Sequence, residues 1–168
     1  MTHPKGVLDT STVLRLDELT TPDLPDESVI TTITLAELTV GPLVATDDET
    51  RSARQLQVQN AESVYGDPLP FDAAAARTFG LVAAALRATG KKKGARAFDA
   101  LIAAICISNE LPLYTFNARD FENISGLEVV ALPRFESPTV RVTGRVGEAG
   151  SGREDLGTVE RQENLADE

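Results

Sequence analysis

KGVLDTS, residues 5–11, decides the architecture of this chain. Its apolar start predicts a short buried strand that ends at Asp9, and the Thr10 and Ser11 that follow are residues preferred at helix N-caps. A strand that leads directly into a helix is typical of a parallel, helix-covered sheet. Ligands of such sheets gather at the carboxyl ends of the strands, so Asp9 is placed where a binding site is expected.

Extended and helical patterns alternate along the rest of the chain. SVITT (28–32), LPLYTF (111–116) and LEVVAL (127–132) predict further strands. Helices are predicted over residues 10–19, 34–41, 47–65, 72–89 and 95–109, and Gly41-Pro42 is expected to end the second of them. The expected fold class is therefore α/β, with a central, mostly parallel sheet and helices on both faces.

Composition divides the chain into two parts. Residues 1–138 carry the alternating pattern and are expected to form one domain, whereas residues 139–168 contain five glycines and few large apolar residues and are expected to be a disordered acidic tail. No apolar run of about 18 residues is present, and the first residues lack the apolar region of a signal peptide. We expect a cytoplasmic protein without a membrane span.

The residue inventory restricts the possible chemistry. The chain has one cysteine, Cys106, in an apolar run, and one histidine, His3, near its start. A disulfide framework, a catalytic Ser-His-Asp or Cys-His arrangement and a histidine-rich zinc site are therefore not expected. Carboxylate, hydroxyl and amide oxygens remain, and these are ligands that suit Mg²⁺ or Mn²⁺.

Four acidic residues lie among apolar neighbours, which is unusual for a solvated face. They are Asp9, Glu37 in TLAEL, Asp99 in RAFDALIAA and Asp120 in TFNARDF. If they converge, their mutual repulsion is costly unless some are protonated or a cation lies between them. The sequence therefore predicts a site for a hard cation.

Each acid also has a purely structural interpretation. Asp9 is a candidate helix cap, and Glu37 is a candidate partner of Thr34 in a capping box. Asp99 suits the positive end of a helix dipole, and Asp120 suits the turn after a strand, together with Asn117. One shared site has the advantage of explaining all four residues at once.

The net charge of −10 argues against capture of nucleic acid over the whole surface. The one dense basic cluster precedes Asp99 and consists of Lys91, Lys92, Lys93 and Arg96. It is either a solvated loop between two helices or a local contact for a phosphodiester backbone beside a metal.

Four motifs, in order, resemble the PIN-domain ribonucleases, and specifically the VapC-type toxins of bacterial toxin–antitoxin pairs. They are VLDTS, TLAELTVG, RAFDALIAA and LYTFNARDF, and the resemblance covers roughly residues 5–133. It implies a PIN-like three-layer sandwich and hydrolysis of RNA that depends on Mg²⁺, with Mn²⁺ as a substitute. It also implies a cognate antitoxin protein as partner and pairing into a homodimer.

The resemblance assigns roles to individual positions. Asp9, Glu37, Asp99 and Asp120 match the family's acidic metal ligands, and Thr10, Ser11, Thr115 and Asn117 match polar positions that orient those ligands or a phosphate. The amide of Asn117 replaces an acid found in some relatives, so one metal ion is expected rather than a strict pair. Two alternatives stay open: a non-catalytic RNA- or protein-binding module of this fold, and a haloacid-dehalogenase-like phosphohydrolase, although Ser11 stands where the latter needs its second acid.

Overall fold

A computed structural model describes residues 3–88 and 97–133. Four strands form one sheet in the order β2-β1-β3-β4, with β1 at Lys5–Leu8, β2 at Glu27–Val29, β3 at Leu113–Thr115 and β4 at Val129–Ala131. All three neighbouring pairs are parallel. The expected α/β class with a parallel sheet is confirmed.

Five α-helices accompany the sheet in the described part of the chain: α1 at Thr10–Leu14, α2 at Thr32–Leu43, α3 at Asp48–Tyr65, α4 at Ala73–Ala88 and α5 at Ala97–Ser108. Neighbouring strand residues point to opposite faces. Accordingly Val7 packs in one apolar cluster with residues of α4 and α5, and Leu8 packs in another with residues of α2 and α3. The sheet is thus the middle layer of three.

Two contacts constrain the sheet, one at β1 and one beyond the end of β2. A Cβ atom on Gly6 would lie 2.6 Å from the Tyr114 ring, so a side chain at this position would collide with β3. Leu69 exchanges backbone hydrogen bonds with Ile30 and Thr32 at 2.9 Å and continues the parallel pairing beyond β2.

The first predicted helix is shorter than expected. It was predicted to extend to residue 19, but α1 ends at Leu14 and a separate 3-10 helix follows at Leu16–Glu18. Arg15 leaves the helical conformation with φ −124°, and its guanidinium lies 4.1 Å from the centre of the Phe116 ring. The break therefore coincides with a contact between Arg15 and Phe116, which lie 101 positions apart in the chain. No local sequence pattern signals this contact.

The second predicted helix is longer at both ends. Thr31 is its N-cap, since the Thr31 hydroxyl accepts a hydrogen bond from the Thr34 N–H at 3.1 Å, so the strand prediction through residue 32 was wrong. Gly41-Pro42 does not end the helix, because α2 continues through Pro42 to Leu43, and a proline this close to the helix end disturbs only the final turn. Arg54 of α3 donates a hydrogen bond to the Gly41 carbonyl at 2.9 Å.

The basic cluster Lys91, Lys92, Lys93 and Arg96, and the predicted boundary between residues 138 and 139, lie outside the described residues. Within residues 3–88 and 97–133, none of the helices has the length and apolar character needed to cross a membrane.

Candidate active site

The core of the candidate site is the junction of two adjacent parallel strands. Leu8 of β1 is aligned with Tyr114 of β3, so Asp9 and Thr115, the next residues of the two segments, lie side by side at the carboxyl edge of the sheet. The Thr115 hydroxyl donates a hydrogen bond to Asp9 Oδ2 at 2.6 Å. Thr115 is fully buried, and Asp9 is only 5% exposed.

The Asp9 carboxylate accepts hydrogen bonds from several donors at once. The Thr12 N–H and hydroxyl lie 2.8 and 2.7 Å from Oδ1, and the Ser11 hydroxyl lies 2.9 Å from Oδ1 and 3.0 Å from Oδ2. The N–H contact makes Asp9 the N-cap of α1, as its structural interpretation predicted. The capping role does not account for the Ser11 and Thr115 hydroxyls, which hold the carboxylate in a fixed orientation at the sheet edge.

Glu37 is joined to the same place through Thr10. The Thr10 hydroxyl, one residue after Asp9, donates a hydrogen bond to Glu37 Oε2. The capping-box interpretation of Glu37 was wrong, because Thr34 is a buried residue inside α2 and the cap is Thr31. Glu37 is half-buried in the second turn of the helix.

Asp120 follows β3 through a short, ordered turn. The Asn117 N–H donates to the Thr115 hydroxyl at 2.9 Å, and the Asp120 N–H donates to the Asn117 carbonyl at 2.8 Å. The Thr115 hydroxyl therefore links Asp9 to the segment that carries Asp120. Asp120 is half-buried at the end of a 3-10 helix, Ala118–Asp120, so its turn-forming interpretation and a role in the site are both compatible with its position.

Asp99 is half-buried in the first turn of α5. Because α5 leads through a short connection into β3, the helix runs against the strand direction and its first turn is directed towards the carboxyl edge of the sheet. Further along α5, Cys106 is buried, as expected. Burial raises the pKa of the Cys106 thiol, and the negative charge of Asp9 raises it further.

The oxygen atoms present suit a hard cation better than a soft one. The carboxylates of Asp9 and Glu37 are linked through Thr10, which follows Asp9 in the chain and bonds to Glu37. The side chains that bond to these two carboxylates all offer hydroxyl groups, and none offers sulfur or imidazole; they are Thr10, Ser11, Thr12 and Thr115. Within the described residues, no three acidic, histidine or cysteine side chains form a group able to hold a metal ion by themselves. Mg²⁺ keeps several water ligands and needs only one or two carboxylates, so the donor set fits this ion.

Thr12 also binds Asp9, although no motif in the sequence pointed to it. This residue is fully buried, and its hydroxyl is near both Asp9 Oδ1 and the Tyr114 carbonyl, at 2.7 and 3.0 Å. Its position three residues after an N-cap is the one available signal, since that is where capping bonds are made. The pattern does not reveal that the side chain turns inward to the same carboxylate.

Comparison with known families gives a match that covers most of the described chain. The sequence model of the PIN domain matches residues 7–127. Ribonuclease VapC5 of Mycobacterium tuberculosis is 33% identical to this chain over 139 residues, which is 79% of this chain and 97% of that protein.

Solved structures give the same result for the fold. The crystal structure of VapBC-5, a member of the VapBC family of toxin–antitoxin systems from Mycobacterium tuberculosis, superimposes with a TM-score of 0.65 at 31% identity, covering 77% of this chain and 99% of that chain. VapBC2 from Rickettsia felis, bound to a promoter DNA fragment, gives a TM-score of 0.61 at 21% identity over 77% of this chain and 99% of that one. The second likeness shows the fold alone.

Proposed function

We propose that this chain, which belongs to the PIN-domain family and within it to the VapC-type ribonuclease toxins, is an endoribonuclease that depends on Mg²⁺ or Mn²⁺. The observation that carries the proposal is Asp9: a buried carboxylate at the carboxyl edge of a parallel sheet, held by Ser11, Thr12 and Thr115 and joined through Thr10 to Glu37. Burying a carboxylate is unfavourable. A cation bound to this carboxylate would offset the unfavourable free energy of burying it.

The four acids have two different proposed roles at the metal site. Asp9 and Asp99 are proposed as metal ligands, directly or through water, and Glu37 and Asp120 as residues that hold the waters of the ion. A bound divalent cation supplies positive charge to the phosphate oxygens and makes a water molecule easier to deprotonate. Thr115 holds Asp9 in place while its own hydroxyl is oriented by the Asn117 N–H. The Thr10 hydroxyl likewise holds Glu37 in place by donating a hydrogen bond to it.

The proposed substrate is RNA. The support is the ribonuclease name of the Mycobacterium relative together with the oxygen-rich site, since in-line hydrolysis of a phosphodiester is a reaction that carboxylate-held Mg²⁺ promotes. The lysines 91–93 and Arg96 are proposed to contact the phosphate backbone on the basis of charge alone.

The proposed partner is an antitoxin protein, with the toxin chain pairing as a homodimer. The support is that a similar solved structure is of a toxin–antitoxin system and that this chain covers 99% of the matched chain in it. A carboxylate site gives such an inhibitor a chemical target, because an arginine makes charge-assisted, bidentate contacts with carboxylates and competes with a cation for them.

The metal-dependent activity is tested with a pair of matched helical variants. Glu37→Gln keeps an oxygen that accepts the Thr10 hydrogen bond but removes the charge, and we expect it to lose RNA cleavage. Asp99→Asn should also lose cleavage. Glu62→Gln is the control, because Glu62 is an exposed acid of α3. Circular dichroism verifies that all variants are folded.

The assay compares cleavage of structured and single-stranded RNA with Mg²⁺, with Mn²⁺ and with EDTA. Metal-dependent cleavage by the wild type that both site variants lose supports the proposal. Cleavage that persists in EDTA contradicts the metal assignment. Cleavage that persists in both single variants, Glu37→Gln and Asp99→Asn, contradicts it as well. RNA binding without any cleavage identifies the non-catalytic alternative.

The toxin assignment is tested in cells. Expression of the chain alone should slow growth, and co-expression of the gene adjacent to it should restore growth. In vitro, excess Mg²⁺ should partly relieve inhibition by the antitoxin because both compete for the same carboxylates. Harmless expression that neither neighbouring gene alters contradicts the toxin role and leaves the nuclease assignment to its own assay.

A further inference from the structure

The two oxygens of Asp9 are held in different ways. A carboxylate offers about four lone-pair positions, two on each oxygen. On Oδ1 both are occupied by Thr12, through its N–H at 2.8 Å and its hydroxyl at 2.7 Å. On Oδ2 one position is occupied by the Thr115 hydroxyl at 2.6 Å. The remaining donor, the Ser11 hydroxyl, is shared between the two oxygens at 2.9 and 3.0 Å.

The Thr12 hydroxyl has two acceptors within reach and one proton. Asp9 Oδ1 is 2.7 Å away and the Tyr114 carbonyl is 3.0 Å away. The shorter distance and the negative charge favour Asp9, since hydrogen bonds to ionised acceptors are stronger than neutral ones. Thr12 is fully buried, so water does not compete for this proton.

The helix cap by itself does not need this hydroxyl. The N–H of Thr12 makes the capping bond, and any residue at this position would supply it. A buried hydroxyl is unfavourable unless it is paired. Here its partner is a carboxylate that the proposed function assigns as a ligand of the cation.

We propose that Thr12 is a positioning residue, which commits Oδ1 of Asp9 to the protein and leaves Oδ2 as the oxygen that meets the cation. The inference rests on the proposed function and adds to it the binding mode of Asp9, which is monodentate. The half-buried Ser11 hydroxyl is the donor that a cation displaces, because it is the one that is shared between both oxygens. Without the Thr12 hydroxyl, Oδ1 keeps the Thr12 N–H but has a lone-pair position open, so the cation can meet either oxygen.

The test measures Mn²⁺ binding to the full chain by isothermal titration calorimetry, without RNA. Thr12→Val keeps the shape and the capping N–H but removes the hydroxyl, and we expect Mn²⁺ affinity to fall about 10- to 100-fold, the usual effect of losing a partner that orients a metal ligand. Thr12→Ser restores the hydroxyl and should restore affinity. Ser11→Ala should lose less affinity than Thr12→Val.

Thr34→Val is the matched control. Thr34 is also fully buried, and its hydroxyl bonds to Thr31, so this variant loses a buried hydroxyl away from Asp9 and should bind Mn²⁺ like the wild type. Should Thr12→Val not fold, Thr12→Ala removes the same hydroxyl with a smaller side chain. A crystal structure with Mn²⁺ then shows which Asp9 oxygen meets the ion.

The outcomes separate the two proposals. A wild type that binds no Mn²⁺ overturns the metal-dependent function and this inference with it. A wild type that binds Mn²⁺ as tightly as the Thr12 variants without a hydroxyl overturns the role of Thr12 alone. Mn²⁺ on Oδ1, or on both oxygens of Asp9, overturns the monodentate assignment. Loss in Thr12→Val with recovery in Thr12→Ser, and Mn²⁺ on Oδ2, support it.

Discussion

Replacing Thr115 with valine tests whether one hydroxyl connects the two halves of the candidate site. The substitution preserves the branched shape at a fully buried position and therefore opens no cavity. It removes the donor to Asp9 Oδ2 at 2.6 Å and the acceptor of the Asn117 N–H at 2.9 Å. We expect a folded protein of lower stability in metal-free buffer.

The magnitude follows from these two bonds. A hydrogen bond to a charged group contributes about 1.5–3 kcal/mol, and a buried donor left without a partner costs about 1–3 kcal/mol. Asn117 is half-buried, so water replaces part of the second loss. The expected fall in the free energy of unfolding is about 2–4 kcal/mol, which is roughly 4–16 °C in Tm at about 2–4 °C per kcal/mol for a chain of this size.

Thermal and urea unfolding with EDTA present measure the effect without metal. Thr39→Val is the control, because Thr39 is exposed on α2 and its hydroxyl bonds only to the Ala36 carbonyl. This control should stay within about 0.5 kcal/mol of the wild type. A Thr115→Val protein whose Tm matches that of the Thr39→Val control would refute the reasoning, since the hydroxyl would then have no energetic role at the strand junction.

Three further predictions concern the rest of the chain. Changing the three lysines at 91–93 to alanine should weaken RNA binding and reduce its salt slope by up to about 2 units, at about 0.7 per phosphate contact on a single strand; filter binding over a salt series measures this, and an unchanged slope leaves them as a solvated loop. Truncation after Pro138 should leave Tm and RNA cleavage unchanged, because the last thirty residues have too few apolar side chains to pack; a large drop in Tm would contradict this. Burial and the charge of Asp9 raise the pKa of Cys106, so its thiol should resist iodoacetamide in the native protein and react in urea, as mass spectrometry would show.

Sequence alone was sufficient for the features that depend on neighbouring residues. The strand ending at Asp9, the alternation that gives a parallel sheet and the burial of Cys106 follow from apolar patterns and capping residues over a few positions. The position of Asp9 at the carboxyl edge of the sheet also followed, because the strand before it ends there. These patterns are short-range, and the same steric and hydrogen-bonding rules apply in any fold.

The tertiary structure decided which side chains meet. Thr115 bonds to Asp9 across 106 residues, Thr10 bonds to Glu37 across 27, and Thr12 turns inward beneath the carbonyl of Tyr114. The tertiary structure also shows that Glu37 is not part of a capping box, because the N-cap of α2 is Thr31, three residues before the predicted cap at Thr34. Contacts of this kind depend on which strands become neighbours and on how far each helix is rotated against the sheet. Those are properties of the packed core, and a local sequence pattern does not encode them.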